Sequence, residues 1–318
     1  MDINTLSSHI KPLDLSVQAV HSSSEEDYFK HYNLNIEKKY PDVKHYFGHF
    51  PSGRFEIVAH YYQVKNATQT CFILHGYYDH SGLYSHIIEY CIQKNFSVVI
   101  YDLPGHGLST GKQACIGDFA DYQVVLRDVL TLFAQYAPKP WHVIAQSTGA
   151  AIVMEYLLSE RAEVFSKVVL LAPLVRPIKW RFSLIVYELV KYFFDRIPRS
   201  FSLNSNDEDF IDFVKKKDQL QAQHLSMRWV GSLKKWIKHF KNLESCGQSL
   251  LVIQGKEDKT VDWKFNIPVI KDKFPESKIL YLQQGRHHLA NEGADIRAKM
   301  FSAMDIYFNV TSAPSKTY

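Results

Sequence analysis

A chain of 318 residues with 46% hydrophobic and 22% charged side chains can bury a full core, as one large domain with an insertion or as two domains. A formal net charge of +4 with no dense Lys/Arg block excludes a nucleic-acid partner. The 15 histidines and four cysteines (Cys71, Cys91, Cys115, Cys246) show no H-E-x-x-H or C-x-x-C spacing, so no metal, cofactor or disulfide framework is implied and the thiols read as reduced.

The first residues lack a basic segment followed by an apolar one, and no apolar run approaches the roughly 18 residues of a membrane span. The cytoplasm is therefore the expected compartment. The sequons Asn66-Ala67-Thr68 and Asn309-Val310-Thr311 are read as chance matches. Aromatic residues, at 14%, lean toward an apolar binding surface.

Residues 1–44 read as a polar lead with a helix start near Ser22-Ser23-Ser24-Glu25. Segments 45–50 and 56–64 flank Pro51-Ser52-Gly53 and predict an antiparallel hairpin. Further strands are predicted at 70–74, 96–101, 141–145, 167–171, 249–254 and 278–282. Helical periodicity falls between them, at 85–94, 118–136, 150–158, 264–273 and 295–308. Strands rich in Val, Ile and Leu alternating with amphipathic helices predict an α/β fold with a mostly parallel sheet covered on both faces.

Residues 175–247 break that alternation and read as helices only. Segment 182–194 is apolar around most of its circumference. Segment 225–240 sets Trp229, Leu233, Trp236, Ile237 and Phe240 against Lys234, Lys235 and Lys238. The expected organisation is thus a core of residues 45–174 and 248–318, interrupted by a helical cap, 175–247.

The chemistry-bearing residues fall just beyond predicted strands, where parallel sheets place their sites. Ala145-Gln146-Ser147-Thr148-Gly149 joins a strand to a helix, the setting of a G-x-S-x-G nucleophile elbow with alanine in the first glycine's place. His75-Gly76-Tyr77 ends an earlier strand, and the N–H groups of Tyr77 and Thr148 are the candidate oxyanion donors. His106, in Asp102-Leu103-Pro104-Gly105-His106-Gly107, reads as a structural loop histidine because it precedes the serine.

After the strand at 249–254, Asp258 is the candidate acid, with Glu257 and Asp262 weaker. No acid occupies residues 167–187, the other loop where one could sit. The strand at 278–282 leads to His287 and His288, and position alone leaves the base open between them.

Taken together, these motifs resemble the lysophospholipase and monoacylglycerol lipase branch of the α/β-hydrolase fold over roughly residues 47–308. The family's H-G-x-x-[ED]-H-S-G-x-Y matches residues 75–84, its D-x-x-G-H-G-x-S residues 102–109, and its G-x-x-D-x-x-V residues 255–261. Its R-H-E-x-x-N-E matches residues 286–292, which assigns the base to His287 and puts His288 where the family has glutamate. Ala145 and Thr148 are the other departures.

The resemblance implies an eight-stranded α/β-hydrolase fold and a Ser147–Asp258–His287 triad. It also implies a small-molecule lipid ester as substrate, hydrolysed through an acyl-enzyme. The cap's aromatic and basic helix suggests weak peripheral membrane contact; oligomeric state is left open. The alternatives are an aminopeptidase or amidase on the same fold, and a non-catalytic ligand-binding protein. Dehalogenase and epoxide-hydrolase chemistry is disfavoured, since both use aspartate where Ser147 stands.

Overall fold

The computed structural model describes residues 3–17, 20–160 and 163–310; parts of the lead, the last residues of the C-terminal segment and Thr311 of the second sequon lie outside the described residues. Two helices, α1 (Ile3–His9) and α2 (Ser23–His31), precede the first strand. The Ser22 hydroxyl accepts from the Glu25 N–H, and the Glu25 carboxylate accepts from the Ser22 N–H at 2.7 Å, a reciprocal cap that fixes where α2 begins. The lead packs less like a polar arm than its composition predicts. Tyr28 and Phe29 are fully buried against Phe47 and His60 of the first hairpin.

That hairpin is β1 (Val43–Ser52) with β2 (Phe55–Val64), turning at Gly53, whose φ of +54° suits glycine. Then follow β3 (Thr70–Leu74), α3 (Ser85–Gln93), β4 (Ser97–Tyr101), α4 (Ala120–Phe133), β5 (Trp141–Gln146), α5 (Thr148–Glu160) and β6 (Phe165–Leu171). The stretch after β6 holds α6 (Trp180–Val190), β7 (Arg196–Pro198), α7 (Glu208–Lys216), β8 (His224–Ser226) and α8 (Met227–Asn242). The chain closes with β9 (Leu251–Gly255), α9 (Trp263–Lys273), β10 (Lys278–Leu282) and α10 (Ala294–Phe308).

Eight strands form one sheet in the order β1-β2-β4-β3-β5-β6-β9-β10, with β2 antiparallel to both neighbours and the remaining pairs parallel. Strands β3, β4 and β5 are buried along their whole length, because helices cover both faces and neither face can be polar. One core gathers α4, α5, α8 and α9 against one face; the other gathers α2, α3 and α10.

Two expectations for the stretch between β6 and β9 need correction. It is not helical throughout: β7 and β8 pair as a small antiparallel sheet. Three-residue strands are too short to leave an alternating pattern, and Pro198 hides one of them further.

Nor is the aromatic face of α8 available to a membrane. Trp229, Leu233, Trp236 and Phe240 are buried. The Trp236 ring lies 5.2 Å from Phe119, and its Nε1–H donates to Glu155 of α5 at 2.7 Å. The exposed apolar surface lies instead on α6, where Phe182, Ile185 and Leu189 are each at least 60% accessible. Among the described residues, no helix is long and apolar enough to cross a membrane.

Candidate active site

The carboxyl ends of β3, β5, β9 and β10 bring the candidate residues together. Ser147 sits between β5 and α5 with φ +52°, a left-handed conformation costly for serine. The bend is fixed from both sides: Ser147 N–H donates to Leu171 O at 2.9 Å, and Ala151 and Leu174 N–H groups donate to Ser147 O at 3.1 Å.

Close packing at this bend explains which small residues it needs. A Cβ on Gly149 would lie 2.5 Å from Leu74 O and 2.7 Å from His75 O, so glycine is obligatory there. Ala145, fully buried in register with Leu74 of β3, sits where its methyl is accommodated, so the missing first glycine leaves the bend intact.

His287 Nε2 lies 3.1 Å from Ser147 Oγ, and His287 Nδ1 lies 2.8 Å from Asp258 Oδ2. The Asp258 carboxylate also accepts from the Thr260 and Val261 N–H groups at 2.7 and 3.1 Å and from the Gln254 amide at 3.1 Å. Burial disfavours charge on both partners, but their attraction and hydrogen bonds outweigh it. The Asp258 pKa is held below its ordinary 3.8 and that of His287 above its ordinary 6.5. The weaker acids are elsewhere: Asp262 pairs with Arg176 at 2.6 Å, and Glu257 is half-exposed, facing Arg286 at 4.0 Å.

Tyr77 and Thr148 flank the serine. A Cβ on Gly76 would come within 3.3 Å of Ser147 Cβ, which places the β3 loop directly beside the elbow. Among the described residues, neither the Tyr77 nor the Thr148 N–H donates to a protein acceptor. The Tyr77 side chain is anchored, its hydroxyl donating to Ala114 O at 2.7 Å and its ring stacked on Trp229 at 3.8 Å.

The other histidines hold loops. His106 Nδ1 lies 3.0 Å from Pro104 O, and burial pushes its pKa down to about 4. His288 meets a different partner, its Nε2 lying 3.3 Å from Asp79 Oδ1. Asp102 ties two motifs together, accepting from Ser81 N–H and Oγ at 2.7 Å and from Leu108 N–H at 2.8 Å.

A cavity of about 410 Å³ opens at Ser147, a size suited to a small-molecule ligand. Leu174, Val186, Tyr187, Leu225, Met227 and Val230 make an apolar wall, while Asp79, Arg199, Ser200, Ser202 and Asn204 bring polar groups. Arg199 and Asn204 carried no signal in sequence, because periodicity does not say which loop of an insertion folds back over a site. The Asp79–His288 pair was within reach: both positions lie in quoted motifs, one acidic and one replacing an acid.

The described structure also resembles solved ones. A soluble variant of monoglyceride lipase from Saccharomyces cerevisiae, in complex with a substrate analog, superposes with a TM-score of 0.69 at 16% identity, covering 83% of this chain and 95% of that one. In sequence, human monoglyceride lipase is 22% identical over 258 residues, 77% of this chain and 84% of its own. A monoglyceride lipase homolog of monkeypox virus is 32% identical over 105 residues, but this spans only 33% of this chain and 38% of that relative. Residues 65–294, well over half of the chain, match the family described as serine aminopeptidase, S33. The protein is therefore a member of the serine aminopeptidase S33 family, a hydrolase with the α/β-hydrolase fold.

Proposed function

We propose that the protein is a serine carboxylic ester hydrolase acting on single-acyl-chain lipids, a monoacylglycerol or a lysophospholipid, through an acyl-enzyme. The observation that carries this reading is the hydrogen-bonded line Asp258–His287–Ser147 opening into a largely apolar cavity. Monoglyceride lipases among the relatives support the lipid side of it.

In this reading Ser147 Oγ attacks the ester carbonyl while His287 Nε2 takes its proton, and the Tyr77 and Thr148 N–H groups bind the oxyanion. The C–O bond to the alcohol then breaks, with His287 returning the proton to the leaving oxygen. Water, deprotonated by His287, adds to the acyl-serine and releases the fatty acid. Asp258 fixes the imidazole tautomer and stabilises the imidazolium. Residues 175–247 act as a cap over the acyl chain, and α6 offers its exposed apolar face for peripheral contact with a lipid surface.

A panel of p-nitrophenyl esters of graded length, monoolein, oleoyl-lysophosphatidylcholine and N-terminal proline peptides tests the assignment. Long-chain esters should be turned over best, and Ser147→Ala should lower that turnover by at least ~10⁴-fold. Preference for the peptides would instead favour the aminopeptidase alternative.

A further inference from the structure

Arg199 follows β7 and lines the same cavity as Ser147 and His287. Its guanidinium lies over two rings, 4.0 Å from the centroid of Tyr78 and 4.5 Å from that of Phe201. Nη1 donates to Gln221 Oε1 and, at 3.3 Å, to Ala222 O. Among the described residues, its Nε and Nη2 groups donate to no protein acceptor, and no carboxylate pairs with it.

The acids whose fields reach Arg199 are engaged elsewhere. Asp79 faces His288 at 3.3 Å and accepts from Tyr84 at 3.0 Å. Asp218 lies 3.1 Å from His80 and accepts from Tyr32 at 2.9 Å.

The arginine is also held in place. Gln221 donates to Asp218 at 3.0 Å, so a chain of bonds runs from the core residues His80 and Tyr32 through Asp218 and Gln221 to the guanidinium. Desolvation disfavours its charge, which lowers its pKa from the ordinary value. A half-buried cation without a counter-ion, with part of its donor fork unused and facing a ligand cavity, is built for an anion.

We propose that Arg199 is the headgroup-recognition residue of this site and selects a single-chain lipid carrying a phosphate over one with an uncharged glycerol head. This rests on the ester hydrolase reading and narrows its substrate class. The apolar wall takes the acyl chain, the ester reaches Ser147, and the phosphate meets the Arg199 fork, in a cavity that Ser200 and Ser202 also line.

A purely structural arginine is the competing account, since Tyr78 has φ +73° and adjoins Tyr77. Loss of such a brace would slow every ester alike, whereas loss of a headgroup contact is selective.

The test compares 1-oleoyl-lysophosphatidic acid with 1-monooleoylglycerol in nonionic micelles, using the full chain, Arg199→Gln and Arg199→Lys. Arg199→Gln should lower kcat/KM for the phosphate lipid by about 10- to 100-fold, mainly through KM, and for monooleoylglycerol by less than about threefold. Lysine, with charge but no fork, should restore part of the loss.

Equal losses on both lipids, or none on either, overturn the proposal. Binding of the corresponding non-hydrolysable ether lipids separates it from the hydrolase reading: a phosphate preference abolished in Arg199→Gln upholds Arg199 even if no ester is cleaved. Equal binding of the two ether lipids overturns it, as does displacement of the phosphate ether by inorganic phosphate at comparable affinity, which would mark a free-anion site.

Discussion

His287 is asked for two incompatible things by its neighbours. Asp258 favours its protonated form and raises its pKa, while the proton transfer we propose from Ser147 needs the neutral ring. The acid limb of kcat/KM should therefore fall at an apparent pKa above the ordinary histidine value of 6.5. Asp258→Asn should move that limb to lower pH and cut the rate by about 10⁴-fold. A limb unmoved by that substitution would remove Asp258 from the proposed role.

Stability runs the other way. The raised pKa of His287 adds stability below 6.5 that is lost as pH rises through its folded value, and the lowered pKa of Asp258 adds stability above 3.8 that is lost as pH falls through its own. The pair thus stabilises the fold most from about pH 3.8 to 6.5, below the range where the neutral base predominates.

At this scale the serine, acid and histidine were legible because each follows a strand and they occur in a distinctive order. The choice of His287 over His288 came from the motif, and the geometry that separates them is tertiary: one ring meets Ser147 and the other Asp79.

Among the elements, two helices of the insertion differ in what they bury. The strongly amphipathic α8 spends its aromatic face on α4 and α5. The more uniformly apolar α6 is left at the surface. Tyr187 of α6 is received at Gly231 of α8, where a Cβ would sit 2.5 Å from the tyrosine hydroxyl, and Glu188 of α6 pairs with Lys234 of α8 at 2.6 Å.

An amphipathic pattern says that one face will be covered and not by what, which is why the sequence does not reveal that the protein's own core covers the aromatic face of α8. Replacing Ile185 and Leu189 with serine should weaken flotation with lipid vesicles by about 100-fold, because each large side chain contributes roughly 1.5 kcal/mol or more when buried. Hydrolysis of a short soluble ester should be little changed. Reversing Lys234, Lys235 and Lys238 to glutamate should matter less at high salt than at low. Flotation indifferent to all five positions would remove the membrane contact.

Across the whole molecule, the sheet is what makes the site readable in advance. Strands buried on both faces must be continuous apolar runs, so they stand out in sequence, and their carboxyl ends then locate the loops that matter. The lead and the insertion leave no such mark. Yet Tyr32, after α2, and Asp218, after α7, meet at His80 in a buried polar junction that joins both segments to the β3 loop. Their partners are distant in sequence and of ordinary types, so only the folded chain reveals them.

The central claim is that Ser147 is a nucleophile activated by His287. The most direct measurement is labelling of the folded protein with a fluorophosphonate, read by intact mass and peptide mapping. A single adduct on Ser147, absent in Ser147→Ala and slowed by at least about 10³-fold in His287→Ala, is the predicted result. No adduct on the folded protein, or an adduct at another residue, would contradict it.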